Sequence, residues 1–155
     1  MADVVQVLTL AQASKIVDEA LSVARQAKMQ PMTVVVLDAG GHVVCCKKED
    51  QSGIMRFEVA FGKAWGSLGM GRPSRMFEQM AAQRPHFVNS LASASQGRLV
   101  PVGGGVLILN SEKRVIGAVG VTGDTSDNDE LCAIRAIRSV GLMSNPEKEV
   151  EAKPA

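Results

Sequence analysis

The chain has 155 residues, 46% of them hydrophobic and 21% charged, with a net charge of +1. That length suits one ordinary domain and buries a sizeable core without a disulfide or metal staple, and the balance excludes a disordered chain. Aromatics are 3% with no tyrosine, and no basic run stands out, which argues against nucleic acid as a partner.

The first helix is signalled by Thr9-Leu10-Ala11-Gln12, a capping box in which hydroxyl and amide satisfy end-of-helix N–H groups. Ile16, Ala20, Val23, Ala24 and Ala27 follow at helical spacing, and Pro31 closes the segment. Thr33 to Leu37 is apolar at both parities, as expected of a strand covered on both faces. Asp38-Ala39-Gly40-Gly41 is a turn, and His42 to Lys47 is the returning strand. Cys45 and Cys46 should face opposite ways.

A second helix is expected after Ser52. Ile54, Phe57, Phe61, Ala64, Trp65 and Leu68 form its apolar stripe, and Arg56, Glu58, Gly62, Lys63 and Gly66 its other side. Gly62 and Gly66 each cost about 1 kcal/mol relative to alanine, so a neighbouring element or a ligand should approach there. Gly69-Met70-Gly71 ends this helix. A short third helix follows Arg72-Pro73-Ser74, burying Met76, Phe77, Met80 and Ala81, and Pro85 breaks it. The stretch from His86 to Gln96 is ambiguous, with room for a short helix over Val88 to Leu91.

Arg98 to Val102 is an extended lead-in to Gly103-Gly104-Gly105 and the strand Val106 to Leu109. Asn110 to Lys113 turns the chain into Val115 to Val121, whose glycines mark places where side chains are excluded. Ser126-x-x-Asp129 is read as the cap of a last helix, with Asp127, Asp129 and Glu130 in its first turn and Arg135 and Arg138 near its end. Leu131, Ile134 and Ile137 face the core. The domain is expected to span 1–146, with 147–155 a disordered charged tail. Two hairpins imply an antiparallel sheet, and strands apolar on both faces imply helices on both. The fold class is therefore α/β (α+β), a three-layer α/β/α domain.

The apolar stretches fall short of a membrane span. Met1-Ala2-Asp3-Val4 lacks a secretory signal's basic region and cleavage site, and Cys45, Cys46 and Cys132 form no C-x-x-C pair, so a cytoplasmic protein with reduced thiols is expected. Cofactor loops fail on inspection. Phe57 stands where a phosphate loop ending at Gly62-Lys63 needs glycine, and Gly103 to Gly105 opens a strand rather than a helix. Asp124, Asp127 and Asp129 lack calcium-loop spacing. No metal site is expected.

The remaining signal is a set of polar and glycine-rich corners: Gly40 and Gly41, Asp50, Lys63, Gly103 to Gly105, and Gly123-Asp124-Thr125. Glycine-turn amides and Lys63 are suited to an anion, and Asp50 or Asp124 to proton transfer. Each has a plainer reading. Gly40-Gly41 suits an ordinary hairpin turn, Lys63 a solvated lysine, Gly103 to Gly105 a bulge, and His42 a surface histidine, although imidazole also ligates haem.

Taken in order, Asp38-Ala39-Gly40-Gly41-His42, Asp50, Gly62-Lys63-Ala64, Arg98 to Val106, and Ile116 to Gly123 with Asp129-Glu130 resemble the GlcG-like, or haem-degrading-domain, family of HbpS-like and PduO C-terminal-like proteins. The resemblance runs from Leu8 to Leu142. It implies a profilin-like fold with a five-stranded antiparallel sheet, homo-oligomers from dimer to octamer, and haem binding in some members. Asp50, Lys63, Gly104, Gly105, Gly117, Gly120, Gly123 and Asp129 fall on the family pattern. Asp124 and Ser126 stand where glycine and proline are usual. The haem-ligating histidine implied for the first helix is absent here, and so is the adenosyltransferase catalytic domain.

The expected function is an oligomeric small-ligand-binding module, with haem or another tetrapyrrole as the implied ligand. The alternative is an enzyme acting on an organic acid or carbonyl compound, with Asp50 or Asp124 as acid/base and Lys63 with glycine-turn amides as the anion site. An assembly module using the sheet as its interface is a third reading.

Overall fold

The computed structural model describes Ala2 and residues 7–151. The capping box forms as the sequence predicts. Thr9 Oγ1 accepts from Gln12 N–H at 3.1 Å, Thr9 N–H donates to Gln12 Oε1 at 3.0 Å, and helix α1 runs Leu10–Gln26. Strands β1 (Thr33–Asp38) and β2 (Val43–Lys48) form the first hairpin. Helices α2 (Arg56–Met70), α3 (Arg75–Gln83) and α4 (Pro85–Ala94) follow. Strands β3 (Gly105–Leu109) and β4 (Val115–Thr122) make the second hairpin, before α5 (Ser126–Ser139) and a short β5 (Met143–Asn145).

The five strands form one antiparallel sheet in the order β2-β1-β4-β3-β5. Alternate residues of β1 feed two cores. Val34 and Val36 pack with α1 and α5, while Val35 and Leu37 pack with Ala60 and Ala64 of α2. This is the expected three-layer α/β/α arrangement. Cys45 joins the first core and Cys46 the second, as strand alternation requires.

Three expectations are adjusted. The apolar stripe of α2 is buried only in part: Ala64 is buried and Phe61, Trp65 and Leu68 pack half-buried against the same core, but Ile54 is 90% and Phe57 38% exposed, while Gly62, Lys63 and Gly66 of the expected other side are buried with Ser67. Helix α2 needs small residues against the sheet because it lies so close. A Cβ on Gly120 would stand 1.8 Å from the Ala60 carbonyl oxygen. Helix α3 ends before Pro85 as expected, but Pro85 also starts α4, which is longer than the short helix expected over Val88 to Leu91, since proline's missing N–H costs nothing in a first turn. The cap of α5 is Thr125, not Ser126: Thr125 Oγ1 accepts from Asn128 N–H at 3.3 Å. Near the C-terminus Glu149 bridges Arg135 and Arg138 at 3.1 Å each, and Arg138 donates to the Glu147 carbonyl. Residues 152–155 of the expected tail, and Met1, Asp3 and Val4, lie outside the described residues.

No helix among the described residues is long and apolar enough to cross a membrane.

Candidate functional site

Lys63 is a lysine that the fold removes from water. It sits on the sheet-facing side of α2, 2% exposed. Its ammonium donates to Val121 O and to Asp129 Oδ2, each at 2.9 Å. Asp129, 1% exposed on α5, also accepts the Asp124 N–H through Oδ1 at 3.0 Å. The contact needs a glycine. At Gly104, with φ of +116°, a Cβ would lie 3.0 Å from Lys63 Nζ and 2.6 Å from Val121 O. Gly105 N–H donates to Ser74 Oγ at 2.7 Å, and Ser67 Oγ donates to Lys63 O at 2.8 Å.

Burial pushes Lys63 below the usual lysine range against the pull of Asp129, and burial likewise pushes Asp129 up against the pull of Lys63. The charge of Lys63 is thus met inside the protein. An anion arriving there would have to displace Asp129.

Around this pair lies a second ring of polar groups, of which the sequence singled out only Gly103, as a glycine corner, and Ser126, Asp127 and Glu130, at the start of a helix. Gly103 N–H donates to Glu78 Oε2 at 2.7 Å, and Ser126 Oγ to Glu78 Oε1 at 3.3 Å. Arg75 of α3 bridges Asp127 at 2.6 Å and Glu130 at 2.8 Å. Glu130 is 1% exposed and its Oε2 has no hydrogen-bond partner among the described residues. Burial raises its pKa against the pull of Arg75. Nothing in the spacing of Arg75 or Glu78 announced these contacts, which join segments about fifty residues apart in the chain.

Asp124 accepts from Gln30 N–H and Thr125 N–H at 2.8 Å each and from Asn128 Nδ2 at 2.6 Å. It organises the entry to α5, and Thr125 caps it. Gly123, with φ of +159°, lies against Pro31 and Met32: a Cβ there would be 2.3 Å from the Pro31 carbonyl oxygen. Gly62 and Gly66 likewise receive a neighbouring segment, not a ligand. A Cβ on Gly62 would be 2.5 Å from Val100 Cγ2, and one on Gly66 2.9 Å from Leu99 Cγ.

Gly40 and Gly41 do not join this cluster. Pairing of Thr33 with Thr122 and of Asp38 with Gly117 puts the Gly40-Gly41 turn and Gly123 at opposite ends of the sheet, separated by at least about 17 Å at ordinary strand rise. The turn borders an open recess of about 150 Å³ with Ala39, Trp65, Leu68 and Gly69. Next to it, His42 is 81% exposed, with Nδ1 3.3 Å from Asp38 Oδ1. Asp50 stands apart from both, exposed, on an open polar cleft of about 400 Å³ with Arg25, Pro31, Lys48 and Glu49. The described residues contain no cluster of three or more His, Cys, Asp or Glu suited to a metal ion.

Comparison with known proteins adds to this geometry. The family model for the HbpS-like haem-degrading protein matches residues 8–138. An uncharacterized 15.0 kDa protein from the dhaT-dhaS intergenic region of Citrobacter freundii is 30% identical over 131 residues, covering 84% of this chain and 89% of its own. Among solved structures, the Klebsiella pneumoniae protein ORFY superposes with a TM-score of 0.77 at 27% identity, covering 90% of this chain and 94% of its own. The PduOC:heme complex superposes with a TM-score of 0.78 at 24% identity, covering 89% of this chain and 97% of its own, a likeness of fold. The chain belongs to the HbpS-like family of haem-degrading proteins.

Proposed function

We propose that the protein is a cytoplasmic small-ligand-binding module, working as a homo-oligomer, whose ligand is haem or another tetrapyrrole. The observation that carries this reading is the family match over residues 8–138, supported by the fold shared with a haem complex. Helix α1 offers no histidine to an iron. The hairpin does. His42 has Asp38 behind Nδ1, the arrangement that fixes a ligating imidazole and leaves Nε2 for the metal. His42 would hold the iron, and the Gly40-Gly41 turn would let a flat ring approach the backbone. When bound, the haem would supply a redox-active iron. The recess beside Gly41 is smaller than the roughly 300–1,000 Å³ of a typical ligand pocket, so the ring would lie across an open face or between copies of the chain.

Haemin titration tests this reading. A Soret shift saturating near one equivalent per chain is expected, with the affinity reduced about tenfold or more in His42→Ala. A weak, non-saturating response would remove haem from the account.

A second reading rests on the polar cleft, where the Asp50 carboxylate lies near Arg25 and Lys48. An enzyme acting on an organic acid or carbonyl compound would use Lys48, since Lys63 is occupied and Arg25 pairs with Glu49 at 2.9 Å, with Asp50 as acid/base. Turnover lost in Asp50→Ala with unchanged melting would favour it.

A further inference from the structure

The single tryptophan stands between two recesses. On one side is the turn recess already described. On the other is an open cleft of about 190 Å³ between α2 and α4, lined by Trp65, Gly66, Met70, Leu91, Ala94 and Leu99. Its interior is apolar in effect. The one hydroxyl on its wall, that of Ser95, already donates to Ala92 O at 3.0 Å and accepts from Leu99 N–H at 3.1 Å.

Arg98 does not line the cleft but touches two residues that do, Trp65 and Ser95. The Arg98 guanidinium carbon lies 4.5 Å from the centre of the Trp65 ring, and Arg98 Nε donates to Ser95 O at 3.1 Å. Stacking and that bond fix the plane of the guanidinium. Its two terminal nitrogens have no hydrogen-bond partner among the described residues, and Arg98 is exposed. A pre-set guanidinium with both terminal nitrogens available is suited to a two-pronged carboxylate contact.

We propose that this cleft binds a small monocarboxylate, with its apolar body between α2 and α4 and its charge on Arg98. Size bounds the body. An engineered protein cavity of about 150 Å³ holds benzene, so one ring or a short alkyl chain fits and a tetrapyrrole does not. The site uses neither His42 nor iron, but it shares Trp65 with the turn recess, so it is tested without haem.

The test uses the fluorescence of Trp65 in the full-length protein without haem. Benzoate and hexanoate should change it saturably, and benzyl alcohol should bind about tenfold more weakly or worse, for want of a charge. Arg98→Gln should raise the carboxylate midpoint by a similar factor. Because that change also disturbs the indole, the midpoint is checked by methyl NMR shifts of Leu91 and Leu99. Ala94→Phe, at an exposed position, should fill the cleft and abolish the response with melting unchanged. Equal affinity for alcohol and acid, or an unchanged midpoint in Arg98→Gln, would overturn the proposal. A change of sedimentation coefficient in Ala94→Phe would also overturn it, by marking the cleft as a contact between copies.

Discussion

Lys63 and Asp129 join the two helical layers across the end of the sheet. Lys63 belongs to α2 on one face and Asp129 to α5 on the other, and their charged atoms meet at 2.9 Å with 2% of each side chain exposed. Neither partner tolerates loss of the other, since a lone charge would remain in a dry interior. Lys63→Met should destabilise the protein by about 3–5 kcal/mol, measured by urea denaturation. The double variant Lys63→Met/Asp129→Leu should recover much of that loss. Additive losses would show that the two side chains act separately.

Two glycines separate close approach from open space. At Gly120 an added methyl would press into the Ala60 backbone, so Gly120→Ala should cost at least about 1–3 kcal/mol or prevent folding. At Gly69 the nearest atom to an added Cβ is Trp65 Cζ3 at 3.8 Å. Gly69→Ala inside α2 should therefore stabilise by up to about 1 kcal/mol. Paired melting curves check both signs.

Acid should act partly through Asp124. Partial burial pushes its pKa up, but the Gln30 and Thr125 amides and the Asn128 side chain outweigh that and hold it below 3.8. A carboxyl depressed in the folded state adds stability that is complete above its unfolded value and is lost as pH falls through the folded one. Denaturation midpoints of the native protein should fall steeply below about pH 4. Asp124→Asn should flatten that fall while lowering stability at neutral pH.

Cys132 should be chemically silent. Burial, reinforced by Asp129 and Asp124, pushes its thiol up to about 12, and thiolate is the reactive form. With iodoacetamide near pH 8, peptide mass spectrometry should find Cys132 unmodified in the native protein and alkylated in urea. Alkylation of native Cys132 at the rate of an exposed thiol would contradict its burial.

Local signals in the sequence carried much of the fold. The Thr9 capping box, the two-sided apolarity of Thr33 to Leu37 and the turn at Asp38 to Gly41 each have a mechanism confined to a few residues, and each appears where expected. Hydrophobic periodicity located only half of the buried face of α2. It found Ala64, Phe61, Trp65 and Leu68, but that pattern counts apolar side chains, whereas this helix also docks through Ala60, Gly62 and Gly66 and leaves Ile54 and Phe57 outside. Lys63 therefore read as a surface cation. Its partner Asp129 read as a helix-end acid, because a contact between residues 66 positions apart leaves no mark in spacing. The glycine corners were recognised individually, but their grouping depended on strand register. Gly104 reaches Lys63 and Asp129, while Gly40 and Gly41 lie at the far end of the sheet.

The outer margins of the sheet constrain how copies of the chain meet. Along β2, the extra residue Val44 opposite the Val36–Leu37 step bends the border, and Lys47 and Lys48 put positive charge on it. The border at β5 is only three residues long. Both are poor templates for a foreign strand, so the molecule resists growing into a continuous ribbon. Any self-association is left to its helical and loop surfaces.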